Sequence, residues 1–371
     1  MKKTLAALAV LGAFAGSAFA ANVTLYGVVD TGLGYYHTDK GVGESTDLFQ
    51  MNTGANTASR FGVKGVEDLG NGLKVGFVLE NGFKSDTGAM STDGDLFDRE
   101  ALLFVEGAYG QLGMGRVGQL ASGNGTYGLF GGKVAPMSSG WDKIAGHKYV
   151  MGSAFGRLDN AVTYKSPSFA GFNVLAQYSF DTGSATGTEA KPVVEGESSA
   201  DREYAVGVTY AAGPMYVAGI VTQTNLRSVD NPDVDDPLQF SLGGHYNFGV
   251  LKAYAAAQYF QDSKLTVGAI NDVDAVAQKG YAYDGFGLHL GADVPAFGGT
   301  VKVGMGYMDA EDQTADGLDM QRYTFALGYE YPLSKRTFVY GGAGYYQDCY
   351  DAPNADDASV TAVNMGLVHK F

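Results

Sequence analysis

Few residue patterns in this 371-residue chain have the spacing that chemistry demands. Gly113-Met114-Gly115-Arg116-Val117-Gly118 matches the GxGxxG dinucleotide fingerprint, which works only where a helix N-terminus follows to hold pyrophosphate. Residues 119–132 are instead glycine-rich and show no helical period, so in this composition the match is a chance one. The five histidines (His37, His147, His245, His289 and His369) lie far apart and form no HExxH-type pair. His245 and His289 share a polar strand face, but no serine sits in the nucleophile-elbow context of a hydrolase. Asp233, Asp235 and Asp236, and Asp93 with Asp95, lack calcium-loop spacing and read as solvated acidic surface with weak divalent binding at most. The lone Cys349 excludes an internal disulfide and a cysteine zinc cluster. No catalytic centre and no cofactor is expected.

One cationic segment is more informative. Residues 119–157 form the longest stretch without a strand pattern. They carry Lys133, Lys143, Lys148 and Arg157 against the single acid Asp142. A loop of nearly forty residues is expected to be functional or disordered. Its glycines, with Phe130, Trp141 and Phe155, suggest a segment that packs on something.

The composition limits what that surface belongs to. Glycine numbers 55 and tyrosine 24, and 25 basic residues face 40 acidic ones for a net charge of -15. Such acidity argues against nucleic acid, because there is no basic surplus to displace counterions. Mean hydropathy is only -0.06, which excludes a helical membrane bundle. Residues 1–20 stand apart: Lys2 and Lys3, an apolar run from Leu5 to Phe19, and Ala18-Phe19-Ala20 before Ala21. This is a secretory signal peptide, which leaves 21–371 as a single mature domain with 23 basic and 40 acidic residues.

Beyond the signal the dominant period is two, in stretches of about ten residues. Strands are expected to begin near Asn22, Thr57, Leu73, Leu96, Gln111, Asp159, Gly171, Arg202, Pro214, Leu238, Leu251, Tyr281, Thr300, Met320, Thr337 and Ser359. That makes sixteen, joined alternately by short turns and long polar connections such as Asp181–Asp201, Asp230–Pro237 and Asp309–Asp319. Leu238, Phe240, Leu242, Tyr246 and Phe248 oppose Ser241, Gly243, His245 and Asn247. Phe286, Leu288 and Leu290 oppose Gly287, His289 and Gly291, and Phe61 and Val63 oppose Arg60, Gly62 and Lys64. A soluble sandwich alternates in the same way with its apolar face inward. Export, the strand count and the alternating connections favour a membrane barrel, apolar toward lipid and polar toward a water-filled lumen. Tyr35, Tyr36, Tyr164, Tyr178, Tyr259, Tyr329 and Tyr345 are then interfacial girdle residues. Alternation counted from Leu96 puts Glu100 and Glu106 on the outer face, where only a subunit interface would shelter them.

The whole chain resembles the general trimeric porins of the Gram-negative outer membrane, of the type found in Neisseria, Bordetella and Comamonas relatives. The resemblance rests on the signal followed by Val23-Thr24-Leu25-Tyr26-Gly27, on residues 59–73, on Phe97-Asp98-Arg99-Glu100-Ala101 and on Tyr164-Lys165-Ser166-Pro167. It extends to residues 331–337 and the terminal Leu367-Val368-His369-Lys370-Phe371. It implies an all-β, sixteen-stranded antiparallel transmembrane barrel with an inward-folded third loop, assembled as a homotrimer among outer-membrane lipid and lipopolysaccharide. It also implies wall arginines opposite that loop, which here match Arg60, Arg99 and Arg157, facing Lys133, Asp142, Lys143 and Lys148. The function expected is passive diffusion of small hydrophilic solutes and ions, with anions preferred. A substrate-specific channel, a plugged structural or adhesive barrel and a barrel-borne hydrolase are the alternatives.

Overall fold

The computed structural model describes residues 23–41, 43–137, 141, 146–182, 194–227, 235–265, 283–313, 319–351 and 357–371. The signal segment, Asp142 and Lys143 lie outside them. So do Asp230, Asp233, Asp316 and Asp356 among the acids.

The described chain is a sheet of antiparallel strands: β1 (Thr24–Asp39), β2 (Thr46–Thr53), β3 (Arg60–Gly70), β4 (Leu73–Gly82), β5 (Glu100–Gly107), β6 (Gly110–Gly118), β7 (Arg157–Lys165), β8 (Phe172–Ser179) and β9 (Arg202–Ala212). It continues through β10 (Met215–Asn225), β11 (Leu238–Asn247), β12 (Lys252–Ser263), β13 (Tyr283–Ala296), β14 (Gly299–Asp312), β15 (Met320–Pro332), β16 (Thr337–Tyr350) and β17 (Ala358–Lys370). Apart from β2 and β3, each strand pairs with its neighbour in sequence, and β1 pairs with β17, so the sheet closes. β2 and β3 both lie against β1, the first on Thr31–Thr38 and the second on Thr24–Val28. They are two halves of one wall strand, and the barrel therefore has sixteen. Closure leaves no edge with unpaired backbone groups in hydrocarbon, each of which would cost several kcal/mol.

The sequence expectation omits β2. Leu48 and Phe49 stand side by side there, so no period of two is visible. Pairing with β1, rather than local pattern, makes the segment a strand. The break at residues 54–59 is fastened to buried Asp30, whose Oδ2 accepts the backbone N–H groups of Asn56 (2.9 Å) and Thr57 (2.7 Å).

The outer face is apolar as the alternation requires: Leu242 is 58% exposed and Met365 57%, with Phe240, Leu288, Leu290 and Leu367 similarly bare. Aromatic rings follow one another across neighbouring strands near the long-loop end. Tyr178 lies 5.1 Å from Tyr204, Phe286 6.0 Å from Tyr307, and Tyr307 5.2 Å from Tyr323. Tyr36 does not belong to this girdle. Tyr35 points outward, so its neighbour must point inward, where the Tyr36 hydroxyl accepts from Asn52 Nδ2 at 2.6 Å.

Two further expectations are corrected by register. β5 begins at Glu100 rather than Leu96, so Glu100 and Glu106 are on the inner face with Leu102 and Phe104. Glu100 Oε1 accepts the Thr126 N–H at 2.8 Å. Asp348 lies within β16, buried and ion-paired with Arg322 of β15, although its acidic stretch through Asp357 reads from the sequence as an outer loop. Asp309 is likewise part of β14, because these wall strands run longer than the apolar pattern alone suggests.

Candidate functional site

The segment from 119 to 156 enters the barrel and lies along its inner wall as two limbs. The outbound limb is held by wall side chains that satisfy its backbone. Tyr216 donates to Leu129 O at 2.8 Å, His245 Nδ1 to Lys133 O at 2.7 Å, and Lys302 Nζ to Pro136 O at 3.1 Å. Asn364 Nδ2 donates to Trp141 O at 3.1 Å, so the loop reaches from β6 to β17. The returning limb runs through a short 3-10 turn, His147–Val150, where Arg322 Nη1 donates to Tyr149 O at 2.9 Å. Gln119 clasps the two ends: its side chain accepts from Gly156 N–H and donates to Glu203 on β9. Nearly every backbone group of a buried segment must find such a partner.

Glycine on the wall makes the close approach possible. A Cβ at Gly287 of β13 would sit 1.5 Å from Val150 O, and one at Gly328 of β15 would sit 2.4 Å from the Trp141 ring. The GxGxxG match finds its explanation here. It lies on β6, where a Cβ at Gly113 would strike the Tyr127 hydroxyl at 2.1 Å. The seam is otherwise apolar: Leu120, Leu129, Phe130 and Val134 are buried against Ala205, Ala218, Ile220 and Ala256. The Trp141 ring meets that of Tyr340 edge-on at 5.5 Å.

Opposite the loop the wall stays open and charged. A chamber of about 690 Å³ is lined by Arg60, Lys64, Glu80, Arg99, Glu100 and Arg157 from the wall, and by residues 123–126, Lys148 and Phe155 from the loop. Arg60, Arg99 and Arg157 sit at or just before the first residue of β3, β5 and β7, the long-loop end of each strand. Glu80 of β4 joins the first two. It accepts from Arg99 Nε at 2.7 Å and from the Tyr26 hydroxyl at 3.0 Å, and it pairs with Arg60 Nε at 3.5 Å. Arg157 bonds to Arg99 O at 2.7 Å and to Asn124 Oδ1 on the loop at 3.5 Å. A second chamber of about 340 Å³, lined by Lys302, Lys370, Asp293, Glu330 and Trp141, shares Thr57 and Arg60 with the first. Arg60 therefore stands where the two chambers meet.

A sequence model of the Gram-negative porins matches residues 6–349. The chain belongs to that family. An outer membrane porin protein of Bordetella pertussis is 34% identical over 399 residues, covering all of both chains. Outer membrane porin protein 32 of Delftia acidovorans is 31% identical over 385 residues, again covering both entirely. The solved structure of an anion-selective porin from Comamonas acidovorans superposes with a TM-score of 0.65 at 26% identity, over 95% of this chain and all of the other. The protein is thus an outer-membrane porin, a general diffusion channel walled by the closed barrel.

Within this porin, four of the seven residues singled out from the sequence come together: Arg60, Arg99, Arg157 and Lys148 all line the larger chamber. Lys133 does not join them. Its ammonium donates to Gly128 O at 2.9 Å and lies 5.6 Å from the Tyr216 ring centre, and it lines neither chamber. Asp142 and Lys143 are outside the described residues. Sequence reasoning missed Glu80, Glu100 and Lys302. Glu80 shares its face with Val78 on β4, and that parity was the signal available for it.

Proposed function

We propose that this porin passes anions in preference to cations, and that Arg60, Arg99, Arg157 and Lys148 set the preference. The observation that carries the reading is the lining of the larger chamber, where five cations, Lys64 included, face two carboxylates. In the smaller one Arg60, Lys302 and Lys370 face Asp293 and Glu330. The net charge of -15 is no obstacle, because the acids outside the lumen sit in bulk water. Their field decays over a Debye length of about 10 Å at 0.1 M salt. A charge about 4 Å from an ion is worth roughly 4 kcal/mol where the effective dielectric is near 20. Position outweighs total charge. The name of the Comamonas relative, an anion-selective porin, adds support. Lys133, Asp142 and Lys143 on the same loop contribute a smaller share of the field.

Selection otherwise rests on size, with no reaction catalysed and no cofactor required. The mature chain starting at Ala21 assembles as a homotrimer, its apolar belt against lipid and its rim against lipopolysaccharide. Acidic outer residues bind divalent cations only weakly. Heat-dependent migration of the purified protein, with N-terminal sequencing, checks the assembly and the start. The zero-current potential across a KCl gradient tests the selectivity. The wild type should favour chloride, and Arg99→Glu should lower the chloride preference by at least about tenfold on the estimate above. Clear cation selectivity in the wild type would refute the reading.

A further inference from the structure

Between the returning limb and the wall lies a pair of buried side chains, one of which, His147, also borders the larger chamber. His147 opens the 3-10 turn and His289 projects from the inner face of β13; each is 2% exposed, and their ring centres are 6.5 Å apart. Phe130 and Phe155 meet the His147 ring edge-on at 5.6 and 5.3 Å. None of the four ring nitrogens has a hydrogen-bond partner among the described residues. A buried nitrogen in that condition is already costly, and its protonated form is far costlier.

We propose that His147 and His289 form an acid-sensitive latch: protonation drives the returning limb off the wall and narrows the channel. The limb lies flat on β13 and β14, with Val150 O over Gly287, and once released it has only the lumen to occupy. The inference rests on the channel reading above.

The charges around the pair are already engaged: across the chamber that His147 borders, Glu80 is paired with Arg99 and Arg60, Glu100 accepts the Thr126 N–H, and Lys64 and Arg157 are cations. On the loop the neighbour is Lys148, another cation. On β13 the same face carries Gly287, Gly291 and then Asp293, which is engaged by Lys302 at 3.1 Å and by the Tyr254 hydroxyl at 2.7 Å. On β14 it carries Gly304 and Gly306, flanked by Lys302. On β12 it carries Ala256 between Tyr254 and Gln258. On β15 it carries Thr324 and Arg322, whose partner Asp348 is bound at 2.6 Å. Burial, with His289 and Lys148 adding like charge, holds the His147 imidazole well below its ordinary range.

The sign follows from linkage. A histidine whose pKa is depressed in the docked state leaves docking at full strength above the undocked value, about 6.5, and weakens it as pH falls below that value. Each proton taken up only on release shifts the docking equilibrium by up to about tenfold per pH unit, and two by up to about a hundredfold.

Trp141 is the only tryptophan, buried on the same loop, and its emission reports docking independently of current. Emission in detergent and single-channel conductance in planar bilayers are to be followed from pH 7.5 to pH 4. The wild type should show a red shift together with closure, with a midpoint below about 6.5 and a slope steeper than one proton. In both His147→Phe and His289→Leu the transition should be lost or move down by at least one pH unit. Emission and conductance that stay flat in the wild type overturn the latch. So does an unchanged midpoint in the double variant. A protein that conducts at no pH refutes the channel reading instead, while the emission profile still decides the latch.

Discussion

The two sides of the lumen are built from the same period-two strands, yet they carry opposite solutions. From β8 to β17 the inner face is covered by the loop. There it offers glycine, alanine and polar groups, among which Tyr216, His245, Lys302, Arg322 and Asn364 donate to loop backbone. From β3 to β5, and at the start of β7, it borders the larger chamber with Arg60, Lys64, Glu80, Glu100 and Arg157. Alternation decides which residues face inward. Whether an inward residue is dry or wet depends on where the loop lies. That is why Ser241 and Asn364 are as buried as core residues in a barrel whose centre is aqueous.

The strongest way to break this division is to attack the ion pair that is most deeply buried under the loop among the described residues. Arg322 holds Asp348 through Nε and Nη2 at 2.6 and 2.9 Å, and it holds Tyr149 O through Nη1. Arg322→Met strands a buried carboxylate and removes the anchor of the returning limb, at a cost of about 3–5 kcal/mol. Protease cleavage near residues 146–153 should appear in this variant and be absent from the wild type. Resistance equal to wild type would mean that the limb is held by packing alone.

A milder intrusion concerns shape rather than charge. Gly287→Ala places a methyl group where Val150 O now sits, and overpacking of this kind costs about 1–3 kcal/mol. Gly341→Ala is the matched control, since the nearest atom to a Cβ there is 3.7 Å away. Thermal loss of the buried Trp141 emission should come earlier in the first variant and remain unchanged in the second. Equal behaviour would show that the glycines are not there for the loop.

The smallest effect sharpens the electrostatic side. Asp351 and Asp357 lie beyond the strands at the long-loop end, and both are exposed. Replacing the two with Asn should alter the chloride-to-potassium permeability ratio by less than about twofold, because salt screens charges in bulk water. A change as large as that from Arg99→Glu would mean that total charge governs selectivity after all.

Much of this was legible in the sequence where a residue's face follows from local period. The sixteen wall strands, the lipid-facing Phe240 and Leu242 and the inward Arg60 are examples. The sequence erred where the period is reset or absent. Glu100 was misplaced because residues 96–99 precede the strand, so alternation counted from Leu96 starts one residue out of phase. β2 was invisible because its partner, not its pattern, makes it a strand. The destination of the loop was readable from its length and its aromatics. Its docking partners were not, since Gly287, His289 and Arg322 are brought beneath it only by closure of the sheet.

That closure has a consequence in time. Gly27 and Phe371 exchange both backbone hydrogen bonds, N to O at 3.1 and 3.0 Å, so the first wall strand is sealed by the final residue of the chain. Among the described residues this strand pairing has the largest sequence separation, and contacts of that kind are slow to form because the intervening chain must be ordered first. Trp141 rests among Val28, Tyr340 and Val368, which stand on the two sides of that seam. The loop therefore has no finished berth until the C-terminus arrives. A chain lacking only its final strand would lose, along with its wall, the surface on which Trp141 is seated.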